Sequence, residues 1–220
     1  MIGLPEAVAL FPLPNHVLLP GLPVPFRVFE PRYRQLVADL LEMGKDARFI
    51  AMPPLLPGWQ AGYEGSPAFH PVCALALVRR IHALDGGQFL ISVDGLVRCR
   101  LSELPSPHPY RLACPTALPE PRLDLTIEQL RLEVGRICTM VRTWSLHQAD
   151  MEQHLEALLR EDGDPAATLE RLGCLLVESA DQRQAFLECE RLGGRLAMLR
   201  SLADSTLPGG RRDGLRPSEN

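Results

Sequence analysis

Four polar side chains in the first half of the chain are candidates for acid–base work: His82, Asp85, Asp94 and Glu103. Such chemistry needs two titratable groups within hydrogen-bond reach, with a pKa tuned by burial or by a charged neighbour. Asp85 falls in an Asp-Gly-Gly turn, and the others fall on turns or polar strand positions, where solvated side chains are expected. His147 and His154 lie seven residues apart on one helical face, whereas metal ligands on a helix usually stand four apart. The six cysteines (73, 99, 114, 138, 174 and 189) form no Cys-x-x-Cys pair, and most sit in apolar runs. They read as buried free thiols. Lys45, the only lysine, lies between Gly44 and Asp46. A phosphate-cradling Gly-Lys-Ser/Thr loop is therefore missing from these residues, as is a serine protease motif with a lysine base. The sequence predicts no catalytic residue, no metal and no cofactor.

The elements that would position these side chains divide the chain in two. Val8–Phe11 and Pro23–Phe29 read as short strands that prolines 12, 14, 20, 23 and 25 confine to edges or bends. Pro31 opens a helix whose apolar face is Tyr33, Leu36, Val37, Leu40 and Leu41, and Gly44 ends it. Arg48–Met52 reads as a strand, residues 53–71 as a long loop, and Val72–Ile81 as a strand buried on both faces. After the Asp85-Gly86-Gly87 turn, Phe89, Ile91, Val93, Val97, Cys99 and Leu101 share one parity, with a bend expected at Gly95. Tyr110, Leu112 and Cys114 give one more strand.

Near Pro119-Glu120-Pro121 the pattern changes to helical. Thr126 with Gln129 resembles a capping box ahead of Ile127, Leu130, Val134, Ile137 and Val141. Met151, Leu155, Leu158 and Leu159 suggest a second helix, and Asp164-Pro165 caps a third. Ser179 with Gln182 caps a short helix, and Leu192, Leu196 and Leu199 mark the last. The expected architecture is α+β. A β-rich part spans residues 1–120 and a helical part residues 121–204, with a Pro/Gly/Arg-rich, disordered tail over 205–220. Short bent strands that must not leave apolar edges open point to a small closed or nearly closed barrel.

Composition narrows the function classes. The chain has 220 residues, 46% hydrophobic and 23% charged, the mix of a soluble globular protein. A net charge of −4 and only 5% aromatic residues argue against a surface built for nucleic acid. No apolar run reaches the length of a membrane span and no signal peptide is apparent, so cytoplasm is the expected location.

One stretch carries a family resemblance. LFPLPNHVLLPG (10–21) and VFEPRYRQLV (28–37), followed by HPVCALALVRRI (70–81), GQFLISVDGLVRCRL (87–101) and YRLACPTALPE (110–120), resemble the N-terminal, substrate-binding domain of Lon protease. In the helical part AFLECERLGGRLAMLRSL (185–202) is similar to that family's final run. Gly193 and Gly194 stand where the family usually has helix formers, so the last helix is expected to start late. The loop GWQAGYEGSPAFHPV (58–72) resembles that of stand-alone, single-domain bacterial members. The resemblance implies a PUA-like β-barrel carrying one helix, followed by a C-terminal helical bundle. It also implies a non-catalytic polypeptide-binding module without ATPase or peptidase parts. The implied partners are unfolded or extended polypeptide and a separate protease or chaperone; the chain is expected to be a monomer or weak homodimer, with no membrane involved and with nucleic acid disfavoured by charge and composition.

Two groups of residues are candidates for contact. Leu55, Leu56, Trp59, Tyr63 and Phe69 lie amid Pro and Gly in the long loop, and apolar anchors there suit an extended apolar peptide. The opposing reading has the loop folding back to seal the barrel. Glu30, Pro31, Arg32 and Tyr33, the family's most recognisable mark, read as structural, with Glu30 capping the helix, Tyr33 in the core and Arg32 paired to a carboxylate. The alternative function is RNA binding by the PUA-like fold, which would need Arg79, Arg80, Arg98, Arg100 and Arg111 clustered on one open face.

Overall fold

A computed structural model describes residues 3–63, 65–145 and 163–206. The helix expected around Met151, Leu155, Leu158 and Leu159, the pair His147 and His154, and the tail beyond Thr206 lie outside the described residues. The fold is mixed α+β. A six-stranded sheet holds β1 (Val8–Leu10), β2 (Pro23–Val28), β3 (Phe49–Ala51), β4 (Val72–Leu84), β5 (Gln88–Leu104) and β6 (Leu112–Ala117). The described α-helices are α1 (Pro31–Leu41), α2 (Ile127–Ser145), α3 (Pro165–Leu176), α4 (Ala180–Glu188) and α5 (Leu192–Thr206).

The strand order is β2-β5-β4-β3-β1-β6, and β6 pairs again with β5. The hydrogen-bonded path thus leaves β5 through β4, β3, β1 and β6 and returns to it. A 17-residue β5 makes this possible, because Phe89–Asp94 pair with β2 and Cys99–Leu104 with β6. Between those halves sits Gly95, where a Cβ would stand 2.7 Å from the Leu19 carbonyl oxygen. Only glycine lets the two backbones approach so closely. β1 and β3 run parallel; all other strand pairs are antiparallel.

Alternation along the strands sends their apolar parity inward. Phe11, Leu18, Val28, Ile50, Ala76, Val78, Ile91 and Val93 form one core cluster with Tyr33, Leu36, Val37 and Leu40 of α1. Leu10, Ala51, Cys73, Leu75, Cys99 and Leu101 form a second. No two of the six cysteines are joined in a disulfide, and Cys73, Cys99 and Cys138 are buried.

The described residues pack as two units, those within 1–120 together with 178–188, and those within 121–177 together with 189–206. α4 therefore belongs with the strands. Its Gln184 amide donates to the Val72 carbonyl at 3.0 Å, and Arg183 donates to the Val17 carbonyl at 3.2 Å. Arg98, only 6% exposed, reaches from β5 to the Leu187 and Pro119 carbonyls. A guanidinium among the last carbonyls of a helix satisfies acceptors that have no intrahelical donor.

In the second unit α2, α3 and α5 pack pairwise. The capping box forms as expected, with the Thr126 N–H donating to Gln129 Oε1 at 3.0 Å and the Gln129 N–H to Thr126 Oγ1 at 3.2 Å. Asp164 Oδ1 accepts from the Ala166 N–H at 2.9 Å. The last helix does not start late. It begins at Leu192, and its two glycines serve close approach. A Cβ at Gly193 would lie 2.9 Å from Asp124 Oδ1, which accepts the Gly193 N–H at 2.8 Å, and one at Gly194 would lie 2.7 Å from Cys189 Sγ.

Candidate functional site

The two groups of residues singled out in the sequence meet in space. Glu30, two residues beyond the end of β2, is extended and stands just before Pro31, the first residue of α1. Its carboxylate does not cap the helix, contrary to the sequence expectation; it receives the Tyr63 hydroxyl at 2.6 Å and Arg32 Nε at 3.0 Å. The first turn of α1 is instead served by the Glu30 carbonyl, which accepts the N–H groups of Tyr33 and Arg34. Arg32 donates onward to the Tyr63 carbonyl at 3.3 Å, and its guanidinium lies over the rings of Tyr33 (4.7 Å) and Tyr63 (4.9 Å). Tyr33 is buried against Phe11, at 4.7 Å between ring centroids. Glu30 and Arg32 thus fix the long loop to the start of α1.

A second guanidinium holds the other limb of that loop. Arg111 makes two bonds to the Glu103 carboxylate, at 2.6 and 2.7 Å, donates to the Pro67 carbonyl at 2.6 Å, and lies 4.6 Å over the Phe69 ring. The fork geometry of arginine allows all of this at once. The base of the loop is closed by backbone bonds, Leu55 N–H to the Leu13 carbonyl at 3.1 Å and Leu56 N–H to the Ala68 carbonyl at 2.9 Å. Leu55 is buried; Leu56, Trp59, Tyr63 and Phe69 are half-buried. Trp59 meets Tyr63 edge to face at 5.3 Å. The loop is folded back, yet keeps part of three aromatic rings at the surface.

Between the start of α1 and the segment before β6 lies a cavity of ≈ 360 Å³, lined among others by Arg32, Tyr33, Ser106, His108, Tyr110 and Arg111. Tyr110 donates to Asp39 Oδ2 at 2.6 Å, and the His108 ring stacks on Tyr110 at 4.8 Å. The Tyr110 hydroxyl, with help from Gln35, holds the Asp39 carboxyl below its usual range. Burial, and then the Asp39 bond, push the Tyr110 phenol up. Arg111 likewise lowers the Glu103 carboxyl, while burial and the Glu30 bond raise the Tyr63 phenol. The shifts thus keep each carboxyl charged and each phenol neutral. The Ser106 hydroxyl is committed to the Tyr110 carbonyl at 2.6 Å. Such a wall of satisfied donors and aromatic faces suits binding better than bond-making.

The remaining candidates are scattered. Asp94 pairs with Arg79 at 2.7 Å, His82 is exposed on β4, and Asp85 lies in the hairpin turn. Among the described residues no cluster of His, Cys, Asp and Glu is placed to hold a metal ion. No described helix is long and apolar enough to cross a membrane. The five arginines proposed for RNA do not form an open basic face, since Arg98 is buried, Arg111 serves Glu103 and the loop, and Arg79 serves Asp94. Sequence reading missed Asp39 and Tyr110. Asp39 is a polar position inside the amphipathic α1, which was the available signal.

Residues 7–205 match the family model of the ATP-dependent protease La (LON) substrate-binding domain, and the chain belongs to that family. Among solved structures it is similar to the N-terminal domain of the Mycobacterium avium complex Lon protease. That match has 16% identity and a TM-score of 0.65, and covers 92% of this chain and all of the other. It is also similar to a Lon N-terminal domain protein from Xanthomonas campestris, at 22% identity and a TM-score of 0.60, over 89% of this chain and 97% of the other. These likenesses concern the fold. A comparison with curated proteins finds no match.

Proposed function

We propose that this chain is a non-catalytic, cytoplasmic polypeptide-binding module that takes up unfolded or extended protein. Membership of the LON substrate-binding family over residues 7–205 is the observation that carries the reading. The finer architecture proposed with it is a PUA-like β-barrel over residues 1–120, to which α4 is added, and a helical bundle formed by the rest of residues 121–204. The strand path that returns to β5 and the pairwise packing of α2, α3 and α5 support it. ATPase and peptidase chemistry are left to another polypeptide, a separate protease or chaperone.

The contact surface in this reading is the clamped loop, with Leu56, Trp59, Tyr63 and Phe69 as apolar contacts and Leu55 as their buried footing. A loop pinned at both limbs presents its rings with little ordering cost on binding. Glu30, Pro31, Arg32 and Tyr33 hold it in place rather than touch the ligand.

Binding of reduced, carboxymethylated α-lactalbumin, measured by fluorescence anisotropy, tests this. The permanently unfolded probe should bind with a Kd on the order of micromolar, and the native protein should not bind. A Trp59→Ala/Tyr63→Ala double variant should weaken binding roughly tenfold, the loss typical of aromatic anchors. Equal affinity for native and unfolded probe, or none for either, would sink the reading.

A further inference from the structure

The sheet has two exposed margins at the end where β2, β5 and β4 lie side by side, and they differ. β2 is the terminal strand in the pairing order. Pro23 and Pro25 stand opposite Asp94 and Ser92, and proline has no N–H to give. In an antiparallel pair the exchanged bonds fall on every second residue. Val24, Phe26 and Val28 must therefore make the bonds to β5, leaving Pro23, Pro25 and Arg27 facing outward. Of these only Arg27 has a donor. That margin is closed to a further strand.

The same alternation fixes the other margin. If β5 turns Phe89, Ile91 and Val93 to β2, it turns Leu90 and Ser92 to β4, whose partners there are His82 and Arg80. Ile81 and Ala83 then direct their N–H and C=O groups away from β5. β3 reaches only Leu75–Leu77, and the Arg48 carbonyl takes the Val78 N–H at 2.9 Å. Among the described residues no segment pairs with this margin beyond Val78.

The side chains beside it have a definite chemistry. Arg80, His82 and Leu84 share the outer face with Leu90, and Phe29 follows the end of β2; Arg80 and His82 are exposed, Leu84, Leu90 and Phe29 by 39%, 40% and 61%. Arg79 sits at the irregularity between Val78 and Arg80 and is spent on Asp94. Arg80 has no carboxylate within salt-bridge distance among the described pairs. The margin thus offers unpaired backbone, a cation at one end and an apolar surface at the other.

We propose that the free margin of β4, residues 79–84, adds a strand from an extended peptide segment carrying an acidic side chain opposite Arg80 and an apolar one opposite Leu84. These two peptide positions are four residues apart on one face, apolar first, because the added strand runs antiparallel. The backbone groups of Ile81 and Ala83 bind any sequence, and the outer-face side chains choose among them. The proposal rests on the polypeptide-binding reading and supplies the class of segment bound.

The test uses the full chain and two fluorescein-labelled nonapeptides of alternating Thr and Val. One carries Leu at the third and Glu at the seventh position, the other Lys in place of Glu. Wild type should bind the Glu peptide at least tenfold tighter than the Lys peptide. Ala83→Pro, which removes an outward donor and no ladder bond, should weaken the Glu peptide at least tenfold. Arg80→Glu should reverse the order of the two peptides without touching the backbone, so the proposal stays testable if the proline variant fails to fold. Binding of carboxymethylated α-lactalbumin that is unchanged in both variants, with no preference between the nonapeptides, overturns this site and leaves the general reading standing. No binding of the unfolded probe by wild type removes the general reading itself. A dimer in sedimentation velocity that Ala83→Pro abolishes, with no nonapeptide bound, overturns the peptide in favour of a second copy of the chain.

Discussion

At its N-terminal end β4 emerges from a loop held by two guanidinium groups; at its C-terminal end it runs past its neighbour β3, and among the described residues no strand pairs with it on that side. The first region contains three aromatic rings in contact with guanidinium groups, Tyr33 and Tyr63 with Arg32 and Phe69 with Arg111, and both tyrosine hydroxyls are hydrogen-bonded. The second exposes Phe29, Leu84 and Leu90 beside unpaired backbone. Arginine explains the difference, since its planar fork can hold a carboxylate, accept an aromatic face and still reach a carbonyl. The loop's backbone bonds, such as Leu56 N–H to the Ala68 carbonyl, close its base, and these side chains tie its limbs to α1 and to the segment before β6. A strand has its shape from β5 already and needs no further partner to keep it. The clamped region therefore owes its order to named side chains, and the bare region does not.

The largest expected effect follows from removing a clamp. Arg111→Ala loses the paired bonds to Glu103, the bond to the Pro67 carbonyl and the face of Phe69. Charge-assisted hydrogen bonds of this kind contribute about 1.5–3 kcal/mol together with a smaller cation–π share, so a loss of about 2 kcal/mol is expected in urea unfolding. Arg111→Lys should recover only part of it, because an ammonium cannot bond both carboxylate oxygens in the fork geometry. Full recovery by lysine would show that charge alone holds the loop.

A smaller, pH-dependent effect belongs to the same region. Arg111 lowers the Glu103 carboxyl and Tyr110 lowers that of Asp39. A carboxyl depressed in the folded state contributes stability that is present above its unfolded pKa of about 4 and lost as pH falls through the folded value. The thermal midpoint should therefore fall on acidification below about pH 4. Tyr110→Phe should flatten part of that fall through Asp39, and Arg111→Ala another part through Glu103. An unchanged acid limb in both variants would place the acid sensitivity elsewhere.

How far these regions were legible in the sequence depends on the range of the contacts. The strands and helices were readable because parity and capping are local, as Thr126 with Gln129 and Asp164 with Ala166 demonstrate. Arg32 and Tyr33 were placed correctly in kind, one paired to a carboxylate and one buried. Glu30 was not, because Tyr63 competes for its carboxylate from 33 residues away and no local pattern reports that bond. The bond from Tyr110 to Asp39 spans 71 residues and was invisible for the same reason. Gly193 and Gly194 misled, since a glycine that weakens a helix and a glycine that admits Asp124 or Cys189 look alike in one dimension.

The smallest expected effect lies at the bare end. Leu84→Ser and Leu90→Ser replace apolar side chains that are 39% and 40% exposed, and surface changes of this kind usually stay within about 0.5 kcal/mol. Urea unfolding of both variants should then overlay on wild type, while the same measurement on Arg111→Ala does not. Because the stability is unaffected, any loss of peptide affinity in Leu84→Ser would report contact rather than folding. Should either serine variant cost as much as the loss of the Arg111 clamp, the tip of the sheet would be a packed part of the fold, and the contrast between the two ends of β4 would fail.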